Sequence, residues 1–112
     1  MYKQGDIVSV YFPFTDGSVF KKRPALIISN DSVNKTGDYL MAQITSKACY
    51  DGLSIDIDNA HCTVPLPFKS YLRSHKLFTI HHSRILSKIS SADILLRQQL
   101  QNKILLNITT PS

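Results

Sequence analysis

The hydrophobic pattern of this chain changes period once, near Ser90, and that change limits the folds open to it. Upstream, Leu53, Ile55 and Ile57 alternate with Ser54, Asp56 and Asp58, and similar short runs occur at Ile7 to Phe12, Ala25 to Ile28 and Tyr39 to Thr45. A period of two marks a strand, because successive side chains point to opposite faces. Downstream, Leu96, Leu100, Ile104 and Ile108 recur every fourth residue, the spacing of one helical stripe. Five or six short strands followed by one amphipathic helix predict a mainly β fold: a small barrel carrying a C-terminal helix.

The punctuation of the chain sets provisional boundaries. Pro13 ends a first strand, on which Val8, Val10 and Phe12 share one face and Ile7, Ser9 and Tyr11 the other. Asp16-Gly17 marks a turn within Phe14 to Ser18. A second strand is expected from Arg23 to Ser29, then a polar connection from Asn30 to Asp38. The third strand, Tyr39 to Thr45, is expected to turn Leu40, Ala42 and Ile44 inward and leave Gln43 and Thr45 more exposed. Pro65 and Pro67 argue for an extended loop over 59–69. Two short strands, Ser70 to Arg73 and Leu77 to His81, flank Ser74-His75-Lys76. Ser90-Ser91-Ala92-Asp93 resembles a capping box opening a helix over Ser91 to Asn107.

At 112 residues and 43% hydrophobic, the chain suits one domain (residues 1–112) with one small core. No window approaches the roughly 18 apolar residues of a membrane span, and the N-terminus lacks a signal-peptide pattern, so a cytoplasmic protein without a membrane partner is expected. A net charge of +5 favours an acidic partner, nucleic acid first. Cys49 and Cys62 are too few for a disulfide framework and are expected as buried free thiols.

The candidate chemistry lies in few residues. In Phe20 to Ser29, FKKRPALIIS, three cations precede Pro24 and an apolar run. Pro24 biases Arg23 toward extended backbone, so a guanidinium is held at the start of a strand, where it can bind two phosphate oxygens. The same residues also suit a solvated surface arginine. Thr45 and Ser46 place hydroxyls at the end of the third strand. His61, His75, His81 and His82 show neither CxxC nor HxxxH spacing, so no metal site and no cofactor is expected. Adjacent His81 and His82 should point to opposite faces of a strand. There is no GxxxxGK[ST], GxGxxG or GxSxG motif, which argues against nucleotide-driven and hydrolase-elbow chemistry.

The ordered pieces resemble the PemK/MazF-type toxins of toxin–antitoxin pairs. They are Gly5-Asp6-Ile7-Val8, a Gly-containing loop, Lys22 to Asp31 (KRPALIISND), Ala42-Gln43-Ile44-Thr45-Ser46, Ser70-Tyr71-Leu72-Arg73, Lys76 to Ile80, Ser83-Arg84-Ile85 and the C-terminal helix. The resemblance implies an SH3-like barrel of the CcdB/PemK/MazF type, usually a homodimer. It implies a metal-independent endoribonuclease that cuts single-stranded RNA, is inhibited by a cognate antitoxin, and meets operator DNA only with that antitoxin. The family's catalytic arginine maps onto Arg23 and its threonine onto Thr45, with RNA contacts implied at Ser18, Lys21, Lys22 and Ser46. Many members carry Gly-Ser-Glu in the first loop; here the stretch is Gly17-Ser18-Val19, without the acid. The same fold supports two other readings, a CcdB-like gyrase poison and a non-catalytic nucleic-acid-binding barrel.

Overall fold

A computed structural model describes residues 1–13 and 20–111. Six strands form one antiparallel sheet: β1 (Asp6–Pro13), β2 (Phe20–Ile27), β3 (Asp38–Thr45), β4 (Ser54–Ile57), β5 (Ser70–His81) and β6 (Ile85–Ser91). Their order is β4-β5-β3-β2-β1-β6. Two helices accompany them, the single turn α1 (Asp31–Asn34) and the long α2 (Ile94–Ile108).

The two outer strands are linked by the segment that follows β4. Cys62 forms a bridge with Ala92: Thr63 N donates to Ser91 O (2.9 Å) and Asp93 N to His61 O (2.8 Å). Ser90 Oγ adds a bond to Val64 O (2.8 Å). The sheet thereby curls into a barrel with little free edge on this side.

Both faces of the central strands are buried, each in its own core. Ile7, Leu26, Ala42, Ile44, Ile55 and Leu72 pack with Leu96 and Leu100 of α2 in the first core. Val8, Val10, Ala25, Ile27, Tyr39 and Met41 pack with Ile80 and Ile85 in the second. This corrects the expectation for β3: Tyr39 and Met41 are as buried as Ala42 and Ile44, and Leu40 is exposed. The alternation is real, but a curled sheet covers both sides of a strand, so alternation no longer sorts inside from outside.

Other boundaries shift for identifiable reasons. The polar connection contains α1, whose N-cap Asn30 accepts from Val33 N. The two short strands after Pro67 are one strand, β5, carrying a bulge: Ala42 pairs with Leu77 and Gln43 with Arg73, so Ser74, His75 and Lys76 have no partners in β3. β6 runs to Ser91, and the N-cap of α2 is Asp93, which accepts from Leu96 N at 3.0 Å. The presumed capping box is therefore strand, with its acid in the cap position. Along the helical stripe Leu96 and Leu100 are buried, Ile104 is partly so, and Ile108 is exposed. Gly5, at φ +93°, ties the ends of two strands together: its N donates to Ile27 O and its O accepts from Ala92 N, both at 2.8 Å. That φ is one that L side chains rarely adopt.

Candidate nucleic-acid interface

The face of the sheet that carries the second core changes character toward one end. Facing residues of an antiparallel pair project their side chains to the same side, and alternate residues along a strand return to it. Val10 faces Arg23, and Ala25 faces Gln43. Thr45 faces Tyr71, Gln43 faces Arg73, Ser54 faces Arg73 and Asp56 faces Tyr71. Arg23, Thr45, Gln43, Tyr71, Arg73, Ser54 and Asp56 therefore lie on one side of the sheet. The second core ends at Ala25 and Met41, and the polar strip begins beyond them.

Arg23 and Thr45 sit at the same end of β2 and β3, each two residues beyond the Ala25–Gln43 pair, and both are half-buried. Thr45 Oγ1 accepts from Lys47 N at 3.1 Å. That bond fixes the oxygen and leaves the hydroxyl proton free to be donated. Lys21 is exposed and shares the Arg23 face, where it lies opposite Phe12, whose ring meets Phe78 edge-on at 4.7 Å between centroids. Lys22 is opposite Tyr11 and belongs to the other face. Ser46 is exposed in the bend after β3. Ser18 and the Gly17-Ser18-Val19 stretch lie outside the described residues. Arg23, Thr45 and Lys21 thus share one face and one end of the sheet, Lys22 is set on the other face, and Ser46 follows Thr45 in the bend.

Sequence reasoning missed a firmly held cation of this face. Arg73 is 8% exposed. Its Nη1 donates to Ser54 Oγ (2.5 Å) and Asp51 Oδ1 (3.2 Å), and its Nη2 to Asp51 Oδ2 (2.8 Å). His75 Nε2, in the bulge, lies 3.4 Å from Nη2. The Arg73 hydrogen bonds hold the Asp51 carboxyl down at about 2, and Asp51 in turn raises Arg73. The one visible signal was Arg73 at an alternating strand position; its partner is 22 residues away and follows no periodicity.

A second pair lies at the barrel closure. His61 Nδ1 is 2.6 Å from Asp93 Oδ2. Asp93 raises the pKa of His61, and the carboxyl of Asp93 is lowered first by Leu96 N and then by His61. Burial raises the neighbouring Cys62 thiol. Both cysteines are free and half-exposed rather than buried. His81 and His82 do not diverge as expected: their rings lie 4.2 Å apart, because His82 begins a 3-10 turn (His82–Arg84) that breaks strand alternation. Among the described residues no group of three or more His, Cys, Asp or Glu side chains is placed to hold a metal ion, and no helix is long and apolar enough to cross a membrane.

A curled six-stranded antiparallel sheet, a helix over its first core, and a basic, hydroxyl-bearing strip beside its second define a small toxin-type barrel. The chain belongs to the PemK-like, MazF-like toxins of type II toxin–antitoxin systems, whose family model matches residues 3–108. Solved structures share the fold. A mycobacterial endoribonuclease in complex with its cognate antitoxin superposes with a TM-score of 0.78 at 13% identity, covering 99% of this chain and 100% of that one. A chain of the MazE–MazF complex from Deinococcus radiodurans gives 0.77 at 21% identity, with 96% and 97% covered. The Mycobacterium tuberculosis toxin MazF-mt6 gives 0.72 at 19% identity, with 90% and 93% covered. No curated protein matches by sequence.

Proposed function

We propose that this chain, acting as one domain in the cytoplasm, is the toxin of a type II pair and a metal-independent endoribonuclease for single-stranded RNA. The observation that carries the reading is the placement of Arg23 and Thr45 at one end of neighbouring strands, on one face, beside Lys21. RNA brings its own nucleophile. The 2′-oxygen forms a bond to phosphorus while the bond to the 5′-oxygen breaks, giving a 2′,3′-cyclic phosphate and a 5′-hydroxyl. Arg23 binds the scissile phosphate and stabilises, by hydrogen bonding, the charge that grows on it and on the leaving 5′-oxygen, while solvent water takes the 2′-hydroxyl proton and returns one to the 5′-oxygen. Thr45 donates its hydroxyl proton to a phosphoryl oxygen. Neither is the base: arginine stays protonated and a threonine hydroxyl is a very weak acid. Lys21, Ser46 and Ser18 hold the RNA backbone, while Lys22, from the reverse face, adds only its field.

A relative solved as an endoribonuclease in complex with its cognate antitoxin supports a cognate antitoxin as partner; a second copy of the chain, and operator DNA when antitoxin is bound, complete the proposed partners. The test is incubation of the purified protein with a mixed RNA pool in excess chelator. Fragments ending in cyclic phosphate are expected, with a substrate carrying a 2′-deoxy sugar at the cut site left intact. Arg23→Ala is expected to lose at least about a hundredfold in rate. Cleavage of the deoxy substrate, a full requirement for divalent metal, or an unchanged rate in folded Arg23→Ala refutes the mechanism. Gyrase-dependent toxicity without RNA cleavage, or binding without turnover, would select one of the other two readings.

A further inference from the structure

The strip continues past the reacting centre in a straight line. Thr45 faces Tyr71 across β3 and β5, and Tyr71 faces Asp56 across β5 and β4. Thr45, Tyr71 and Asp56 thus form one cross-strand row, and Arg23 lies on the same face two residues beyond the last β2–β3 pair, Ala25–Gln43. At about 4.8 Å between strands, the row runs about 10 Å from Thr45 to Asp56, with Tyr71 between them. From Arg23 onward the order of chemistry is cation, hydroxyl, aromatic ring, carboxylate. Tyr71 is half-buried, so its ring is anchored yet open to solvent on part of its surface. Asp56 is unneeded by the fold: its side chain is 69% exposed, and Lys69 Nζ, itself 66% exposed, stands 3.8 Å away. The next row, Gln43, Arg73 and Ser54, is braced by the Arg73 hydrogen bonds, which stiffens the backbone on which Tyr71 sits.

A carboxylate is out of place on a surface that binds RNA backbone, since it repels phosphates. It fits a site that discriminates among bases, where a charge that weakens binding to every sequence restores it for one class. Proteins read single-stranded RNA by stacking bases on aromatic rings and bonding their Watson–Crick edges. We propose that Tyr71 stacks a base adjoining the scissile phosphate and that Asp56 accepts a hydrogen bond from the exocyclic amine of that base. This rests on the endoribonuclease reading of the same face. Adenine, cytosine and guanine offer such an amine. Uracil does not, and the two carbonyls flanking its N3–H repel a carboxylate. The site therefore excludes uracil at this position.

The experiment compares wild type with Tyr71→Phe, Tyr71→Leu, Tyr71→Ala and Asp56→Asn, each checked for folding by circular dichroism. Cleavage sites are mapped in a random RNA pool, and binding is measured with a 2′-deoxy-blocked oligonucleotide. Tyr71→Phe, which keeps the ring, is expected to lose much less than Leu or Ala. Leu and Ala are both expected to lose about 5- to 150-fold in kcat/KM and in affinity, the worth of one stacked base. Asp56→Asn is expected to admit uracil at one position with little change elsewhere. Equal activity of Tyr71→Leu and wild type overturns stacking, even if Tyr71→Ala fails to fold. An unchanged cleavage profile in Asp56→Asn overturns the assignment of the carboxylate. If wild type binds RNA without cutting it, the nuclease reading fails alone, and weaker binding by Tyr71→Leu still supports the platform. Absence of RNA binding by wild type overturns both.

Discussion

Leu100→Ala tests whether α2 is fastened mainly by its two buried leucines. Leu100 is 1% exposed in the first core, and Leu96 is the only other fully buried side chain of the helix. The substitution removes three carbons, about 2.4 kcal/mol at roughly 0.8 kcal/mol for each buried methylene. The void left behind adds to this. Leu100 and Leu26, however, also border a surface groove of about 270 Å³ running between α2 and the end of β2. Neighbours can relax along that groove, which keeps the total near 3 kcal/mol, toward the low end of the leucine-to-alanine range. With a urea m-value of about 1–3 kcal/mol/M, the unfolding midpoint should fall by about 1–3 M. Leu95, one position before Leu96 on the same helix, is 62% exposed. Its change to alanine should stay within about 0.5 kcal/mol. If the two variants shift the midpoint equally, α2 is not anchored as described.

Gly5→Ala should destabilise by about 1–2 kcal/mol in the same assay, because its φ of +93° is unfavourable for any Cβ; the Cβ would also meet Arg97 Cδ at 2.6 Å, though that side chain can move. Lys21→Ala should flatten the log–log salt dependence of RNA binding by about 0.7, one phosphate contact on a single strand, and Lys22→Ala by clearly less; equal slopes would deny the separation of the two faces. The His61–Asp93 pair predicts a pH dependence of Tm with two limbs. Asp93 is lowered from 3.8, so its contribution is present above that value and lost as pH falls below it. His61 is raised from 6.5, so its contribution is complete below that value and lost as pH rises through the higher folded-state pKa. His61→Gln should remove the alkaline limb alone, and an unchanged Tm profile would show that the pair carries no linkage.

The class of fold was legible because period two and period 3.6 each announce themselves locally. The cation before Pro24 and the hydroxyl closing the third strand were legible for the same reason: both sit at strand ends that the pattern marks. The face on which each falls was not. Lys21, Lys22 and Arg23 are consecutive in sequence, and only pairing with Val10, Tyr11 and Phe12 separates Lys22 from the others. The burial of Tyr39 and Met41 depends on a sheet curling over itself, a property of the whole chain. The Arg73–Asp51 and His61–Asp93 pairs join residues 22 and 32 positions apart with no periodic link. The bulge at Ser74 to Lys76 was visible as a break, yet a break in pattern does not distinguish an interruption from the end of a strand.

The closure of the barrel has a consequence for synthesis. Every described side chain of the proposed site lies between Lys21 and Arg73, so a ribosome releases them all before β6 and α2. The second core that backs them also needs Ile85, and the contact that joins Ser91 to Asp6 spans 85 residues. A nascent chain therefore carries the proposed site residues for some time without the framework that aligns them. On the proposed reading, cleavage of RNA by the emerging chain waits until β6 has also left the ribosome.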